Sequence, residues 1–93
     1  MAHFEHNSDQ LGYINLETLE GVQKALKNLG FDPGKVDGRD GPNTQDAVRA
    51  FQAHATIKID GIVGDQTRGA LVGALDALTQ SQVASDGAAG PRA

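Results

Sequence analysis

The sequence predicts an all-α chain, a compact three-helix bundle with two Asp-Gly loops that each run into a helix. Two observations carry this. A thirteen-residue pattern occurs twice: Val36-Asp37-Gly38-Arg39-Asp40-Gly41-Pro42-Asn43-Thr44-Gln45-Asp46-Ala47-Val48 aligns with Ile59-Asp60-Gly61-Ile62-Val63-Gly64-Asp65-Gln66-Thr67-Arg68-Gly69-Ala70-Leu71, and Asp60 follows Asp37 by the same 23 residues that separate Thr67 from Thr44. Such a match means that one loop-into-helix unit is built twice. In addition, apolar residues recur at helical spacing in three stretches. With 93 residues the chain forms one domain. A core of roughly 60 ordered residues buries only about 60% of its unfolded surface, so stability is modest.

Residues 1–14 are polar with scattered Phe4, Leu11 and Tyr13. They are expected to be an irregular N-terminal arm, packed on the domain through Leu11, Tyr13 and Ile14. The domain proper is placed at residues 15–78. Asn15 is a candidate N-cap, and Leu19, Val22, Leu26 and Leu29, with Ala25 beside them, form the buried stripe of the first helix. Gly30 closes it as a left-handed C-terminal residue. Gly21 inside it costs up to about 1 kcal/mol relative to alanine, which points to close backbone approach or a late helix start. Phe31-Asp32-Pro33-Gly34-Lys35 is a turn by composition.

The repeat follows. Asp37 and Asp60 can accept hydrogen bonds from backbone N–H groups just ahead of them and close Asx-type turns. Gly38 and Gly61 supply backbone angles that a side chain penalises. Gly41 and Gly64 stand where helix N-caps are expected, with Pro42 at a first helical position that has no use for its missing N–H. Asp65, its counterpart, suits the positive helix end. Thr44 and Thr67, in the first turns, reach back to fix the loops. These eight positions, Asp37, Gly38, Gly41, Thr44, Asp60, Gly61, Gly64 and Thr67, are assigned a structural role. The second helix is placed from about Pro42 to His54 with Ala47, Val48, Phe51 and Ala55 inward, and a short extended piece, Ile57-Lys58-Ile59, leads to the second loop. The third begins near Asp65 and carries Ala70, Leu71, Ala74, Leu75 and Leu78. Residues 79–93 have almost nothing to bury and are expected to be a flexible tail, ordered only on a partner. No sheet is predicted.

Several function classes are excluded. The net charge is −4 with no basic run, which argues against nucleic acid. No apolar stretch approaches membrane-spanning length. There is no cysteine, hence no disulfide and no thiolate metal site. No catalytic residues are assigned, because Ser8, Ser81 and Ser85 all fall in the expected arms and no nucleophile-base pair or carboxylate pair is evident. His3-x-x-His6 has a metal-compatible spacing without a third ligand, and His54 suits a helix C-terminus. The Asp37, Asp40 and Asp46 spacing fails the calcium-loop pattern, and no Lys-Ser or Lys-Thr follows either glycine loop. No metal or cofactor is expected.

Taken together, Val22-Gln23-x-x-Leu26-x-x-Leu29-Gly30-Phe31, Val36-Asp37-Gly38-x-x-Gly41-Pro42-x-Thr44-x-x-Ala47-Val48-x-x-Phe51-Gln52 and Ile59-Asp60-Gly61-Ile62-Val63-Gly64-x-x-Thr67-x-x-Ala70-Leu71 resemble the bacterial peptidoglycan-binding domain of the three-helix type over about residues 16–76. The resemblance implies a small non-catalytic module that binds the bacterial cell wall, commonly fused to a wall hydrolase. The chain departs from that pattern in three ways. Asp40 stands where the family commonly has a large apolar residue, the usual glycine near Thr56 is missing, and no hydrolase accompanies the segment.

Two readings follow. In the first, the partner is peptidoglycan or its stem peptides, and Arg39, Asp40, Asn43, Gln66 and Arg68, around the two loops, bind it, with arginine pairing a stem-peptide carboxylate. An aromatic content of 4% leaves few platforms for stacking sugars. In the second, the chain is a structural or adaptor protein of a phage particle or injection device and docks another protein through its terminal arms. By resemblance the location is the cell envelope, the exterior or a virion. Met1-Ala2-His3-Phe4-Glu5-His6 lacks the basic and apolar regions of a signal peptide, which leaves another export route, a leader already removed, or no export by the general pathway.

Overall fold

A computed structural model describes residues 4–83, with side chains to residue 80. Three helices are present: α1 (Leu19–Asn28), α2 (Pro42–Ala55) and α3 (Asp65–Val83). The all-α expectation needs one correction. Residues expected to be irregular form an antiparallel hairpin, β1 (Glu5–Ser8) with β2 (Gly12–Asn15), in the register Glu5↔Asn15, His6↔Ile14 and Ser8↔Gly12. The Ser8 hydroxyl closes its turn by accepting the Leu11 N–H at 3.1 Å. A two-stranded hairpin alone is marginal in water. This one persists because His6 and Ile14, opposite each other, are both buried. Ile14 joins the core and Leu11 packs against it, whereas Tyr13, expected to pack, is exposed and donates its hydroxyl to Glu5 at 3.2 Å.

The start of α1 also differs from expectation. Thr18, not Asn15, is the N-cap, accepting the Gly21 N–H at 3.0 Å. Asn15 builds the turn before it: its side-chain oxygen accepts the Glu17 N–H and its carbonyl accepts the Thr18 hydroxyl, both at 3.0 Å. Gly21 faces that turn. A Cβ there would overlap the Asn15 carbonyl, so the costly helical glycine marks close backbone approach. At the other end Gly30 N–H bonds Lys27 O and Phe31 N–H bonds Leu26 O, the double closure of a Schellman motif.

Helix α2 starts at Gly41-Pro42 as expected and ends past His54, where Thr56 takes φ +61° so that Ile57 N–H can reach Gln52 O at 3.0 Å. Helix α3 runs past the expected boundary. Thr79 is buried and returns its hydroxyl to the Leu75 and Asp76 carbonyls at 3.1 Å, so residues 79–83 continue the helix instead of beginning a tail. The rest of that expected tail lies outside the described residues.

The core is Ile14, Leu16, Val22, Ala25, Leu26, Ala47, Val48, Phe51, Leu71 and Leu75. Phe31 packs edge-on against Phe51 with centroids 5.8 Å apart. A polar latch fastens the hairpin to α3: His6 Nδ1 lies 2.8 Å from Asp76 Oδ1, and its Nε2 lies 2.8 Å from Ser8 Oγ. Among the described residues, no helix is long and apolar enough to cross a membrane, and no cluster of three metal-ligating side chains occurs. His3 lies outside them.

Candidate functional site

Each helix before a loop carries one glutamine in its buried stripe. Gln23 follows Val22 on α1 and Gln52 follows Phe51 on α2, and both are fully buried. A buried primary amide must find partners for two donors and an acceptor. Each does so in the loop that follows. The Gln23 Oε1 accepts the N–H groups of Asp37 (3.0 Å) and Gly38 (2.8 Å), and its Nε2 donates to Arg39 O (2.9 Å) and Thr44 Oγ1 (3.0 Å), with Asp37 Oδ1 at 3.5 Å. Gln52 Oε1 accepts Asp60 N–H and Gly61 N–H, both at 3.0 Å, and its Nε2 donates to Asp60 Oδ1 (3.0 Å), Ile62 O (3.0 Å) and Thr67 Oγ1 (3.1 Å). One buried amide therefore clamps each loop against the core.

The loop residues complete the clamp. Asp37 Oδ1 accepts the Arg39 N–H and Asp60 Oδ1 the Ile62 N–H, each at 2.9 Å. Those backbone donors, first among the causes, hold both carboxyls below the ordinary carboxylate range. Gly38 (φ +76°) and Gly61 (φ +71°) turn the chain through the left-handed region so that their N–H groups point at the glutamine. The Thr44 hydroxyl donates to Pro33 O at 3.0 Å and the Thr67 hydroxyl to Ile62 O at 3.4 Å. Gly41 is the N-cap of α2, and the Gly64 carbonyl accepts the Arg68 N–H in the first turn of α3.

Between the two clamped loops lies a cleft of about 200 Å³. Leu19, Val22, Val48 and Val63 give it an apolar lining, and Asp40, Thr44 and Arg68 bring the polar groups. Arg68 is held in place, since its Nε donates to Leu16 O at 3.1 Å and its Nη1 lies 3.5 Å from Asp65 Oδ1. Asp40 is exposed and accepts from Gln45 Nε2 at 3.2 Å. A shallower hollow of about 300 Å³ lies on the outer side of the first loop and includes Lys35, Arg39, Pro42 and Asn43.

The five candidate ligand residues thus divide. Asp40 and Arg68 share the cleft, Arg39 and Asn43 share the outer hollow, and Gln66, exposed on the first turn of α3, lines neither. Thr44 lines both. Arg68 is also more than a surface cation, because its bond to Leu16 ties α3 to the chain entering α1.

A second polar arrangement joins Asp76, His6 and Ser8 in the order of a hydrolytic triad. Its contacts are those of a latch: His6 is 3% exposed and the Ser8 hydroxyl closes the hairpin turn.

The profile of the peptidoglycan binding domain matches residues 15–71. The chain belongs to the peptidoglycan binding domain family. The matched segment holds both glutamine clamps and every residue of the cleft, and it leaves out nearly all of the hairpin and the outer part of α3. As a member of that family, the chain is a peptidoglycan-binding module. It is similar to a spore cortex-lytic enzyme of Oceanobacillus iheyensis (40% identity over 63 residues, covering 68% of this chain and 22% of that protein). It is also similar to a spore cortex-lytic enzyme of Bacillus cereus (38% over 69 residues, 74% and 26%). The chain therefore spans about a quarter of the length of the curated relatives it matches. No solved structure matches it.

Within this peptidoglycan binding domain, Gln23 and Gln52 stand in the sequence motif without a role assigned to them there, and the structure makes them the clamps. The available signal was their position. Each is a polar residue flanked by stripe residues, Val22 and Leu26 in one case, Val48 and Phe51 in the other, and a polar residue inside an apolar stripe needs a buried partner.

Proposed function

We propose that the cleft between the two clamped loops is where the chain holds peptidoglycan, and that it takes the peptide part of the polymer. The observation that carries this is the lining: an anchored guanidinium and a carboxylate over an apolar floor, with no aromatic side chain for a sugar ring to stack on. Arg68 offers a stem-peptide carboxylate a planar, charged fork. Arg39 and Asn43, in the outer hollow, extend the contact along the ligand, and Gln66 on the first turn of α3 adds a polar group beside it. The matched relatives are named for lysis of spore cortex, and they share only this segment with the chain. What carries over is therefore wall binding and not lysis.

Retention on purified sacculi tests the proposal. The wild-type chain should co-sediment with them, and Arg39→Ala and Arg68→Ala should each weaken retention by about 1–2 kcal/mol if the contact is a charge-assisted hydrogen bond. Because Arg68 also bonds Leu16, its variant is compared at a temperature where a circular-dichroism melt shows it folded. Unchanged retention in the double variant would defeat the site. The adaptor reading, in which the terminal arms order on another protein, loses support at the N-terminus, because the hairpin is already packed on α3.

A further inference from the structure

We propose that the cleft is selective for a peptide branch ending in an amino-acid head, a free ammonium and a carboxylate on one carbon, with Asp40 receiving the ammonium and Arg68 the carboxylate. This rests on the peptidoglycan reading of the cleft and names the part of the polymer it takes.

The first support comes from comparing the two copies of the repeat. Asp40 and Val63 occupy equivalent positions, 23 residues apart, and both line the cleft. Of the lining residues these two are the one equivalent pair of the repeat, and one copy supplies a carboxylate where the other supplies a valine. That carboxylate does no work in the loop. Asp37 accepts the backbone N–H, Gln23 holds the loop from below, and among the described residues Asp40 hydrogen-bonds the Gln45 side chain alone.

The second support is the charge arrangement. Arg68 is fixed through Nε to Leu16 O, and neither that bond nor its contact with Asp65 uses the Nη2 edge. Among the described residues no ion pair joins it to Asp40, although both line the same cleft. Arg68 already pairs with Asp65 and keeps its Nη2 edge for a ligand carboxylate, while Asp40, with no ion pair among the described residues, suits a ligand that brings its own ammonium.

The third is size. About 200 Å³ lies below the roughly 300–1,000 Å³ typical of sites that enclose a whole small molecule, and so suits one amino-acid head better than a disaccharide.

The test uses three synthetic stem tripeptides titrated into the full chain by calorimetry. The first, L-alanyl-D-glutamyl-meso-diaminopimelate, has the free amino-acid head. The second has that head's amine acetylated. The third has lysine in place of the diamino diacid, which keeps the ammonium and lacks the carboxylate. The wild type should bind the first about tenfold or more tighter than either of the others, the scale of one charge-assisted hydrogen bond. Asp40→Asn and Asp40→Val should lose the preference for the free amine and bind the free-amine and acetylated peptides alike. Because Asp40 is exposed and outside the clamp, both variants should melt like the wild type. If the wild type binds all three alike while still sedimenting with sacculi, the selectivity is overturned and the peptidoglycan site stands. Discrimination that survives in Asp40→Val would remove Asp40 from the site. If neither peptides nor sacculi are bound, both readings fall.

Discussion

Replacing Gln52 by glutamate isolates the hydrogen bonds of the second clamp from its packing. The two side chains have nearly the same shape, so no cavity opens. The oxygen replacing Nε2 would face Asp60 Oδ1 and Ile62 O, each at 3.0 Å, and Thr67 Oγ1 at 3.1 Å. The threonine hydroxyl can rotate and become a donor, giving up its own 3.4 Å bond to Ile62 O. The other two are acceptors, one of them charged, and cannot. Two hydrogen bonds are lost and two acceptors are left against a third oxygen in a site that is 1% exposed. At about 1 kcal/mol for each lost bond, plus about 1–3 kcal/mol for the groups left unsatisfied, Gln52→Glu should destabilise by about 3–5 kcal/mol. That lowers the melting temperature of a domain this size by about 12–40 °C. Circular-dichroism melts and urea titrations at pH 7 measure it, with Gln23→Glu as the matched variant in the first loop. Hydrogen exchange at the Asp60 and Gly61 amides should quicken beyond the change in global stability if the loop opens locally. A Gln52→Glu melt within two or three degrees of wild type would show that the loop holds its shape without the clamp.

Other expectations follow from single positions. Thr56 is β-branched at φ +61°, a conformation costing about 1–2 kcal/mol for an L-residue, partly offset by the greater freedom of an unfolded glycine; Thr56→Gly should therefore raise the melting midpoint by a few degrees, and a fall would show that the strain is absent. Gly21→Ala should destabilise the fold, against helix propensity, because the new methyl would overlap the Asn15 carbonyl; a melt showing gain would place that turn elsewhere. Asp37 and Asp60 titrate below their ordinary value of 3.8 in the folded state, so the unfolded chain binds more protons as pH falls past that value. The stability they contribute is whole above pH 3.8 and is lost as pH drops through their lower folded values. The double variant Asp37→Asn/Asp60→Asn should be less stable at pH 6 and show a flatter acid limb, as followed by urea midpoints against pH.

Much of the helical frame was legible because its signals are local. Gly41-Pro42, Gly30 and the spacing of Val22, Leu26, Val48, Phe51, Leu71 and Leu75 mark helix ends and buried stripes without reference to anything distant. The hairpin was not legible for the opposite reason. Glu5-His6-Asn7-Ser8 has no β-branched residue and little apolar content, and it becomes a strand because His6 finds Asp76 seventy positions away. The end of α3 was misjudged because Thr79 reads as polar and exposed, whereas its hydroxyl is satisfied by its own helix and can be buried. The candidate ligand residues share nearness to the loops in sequence. Helical geometry then separated them, sending Arg68 inward to the Leu16 carbonyl and leaving Gln66 at the surface, while the turn after Asp37 set Arg39 and Asp40 on different sides of one loop.

The latch between His6 and Asp76 has a consequence for the order in which the molecule forms. The second clamp closes over 8 residues, from Gln52 to Asp60, so α2 and its loop can settle as soon as they have been synthesised. The latch spans 70 residues and the Arg68–Leu16 tie spans 52. At about 5–20 residues per second, the ribosome needs roughly 4–14 s to go from one side of the latch to the other. Throughout that interval β2 can already meet α1, but β1 lacks the helix it packs on, and a hairpin held on one side only is marginal in water. The hairpin is thus made before α3 and is among the last parts of the fold to be fixed. Until α3 emerges the hairpin remains open to proteases and chaperones, and the arrival of Asp76 fixes hairpin and helix together.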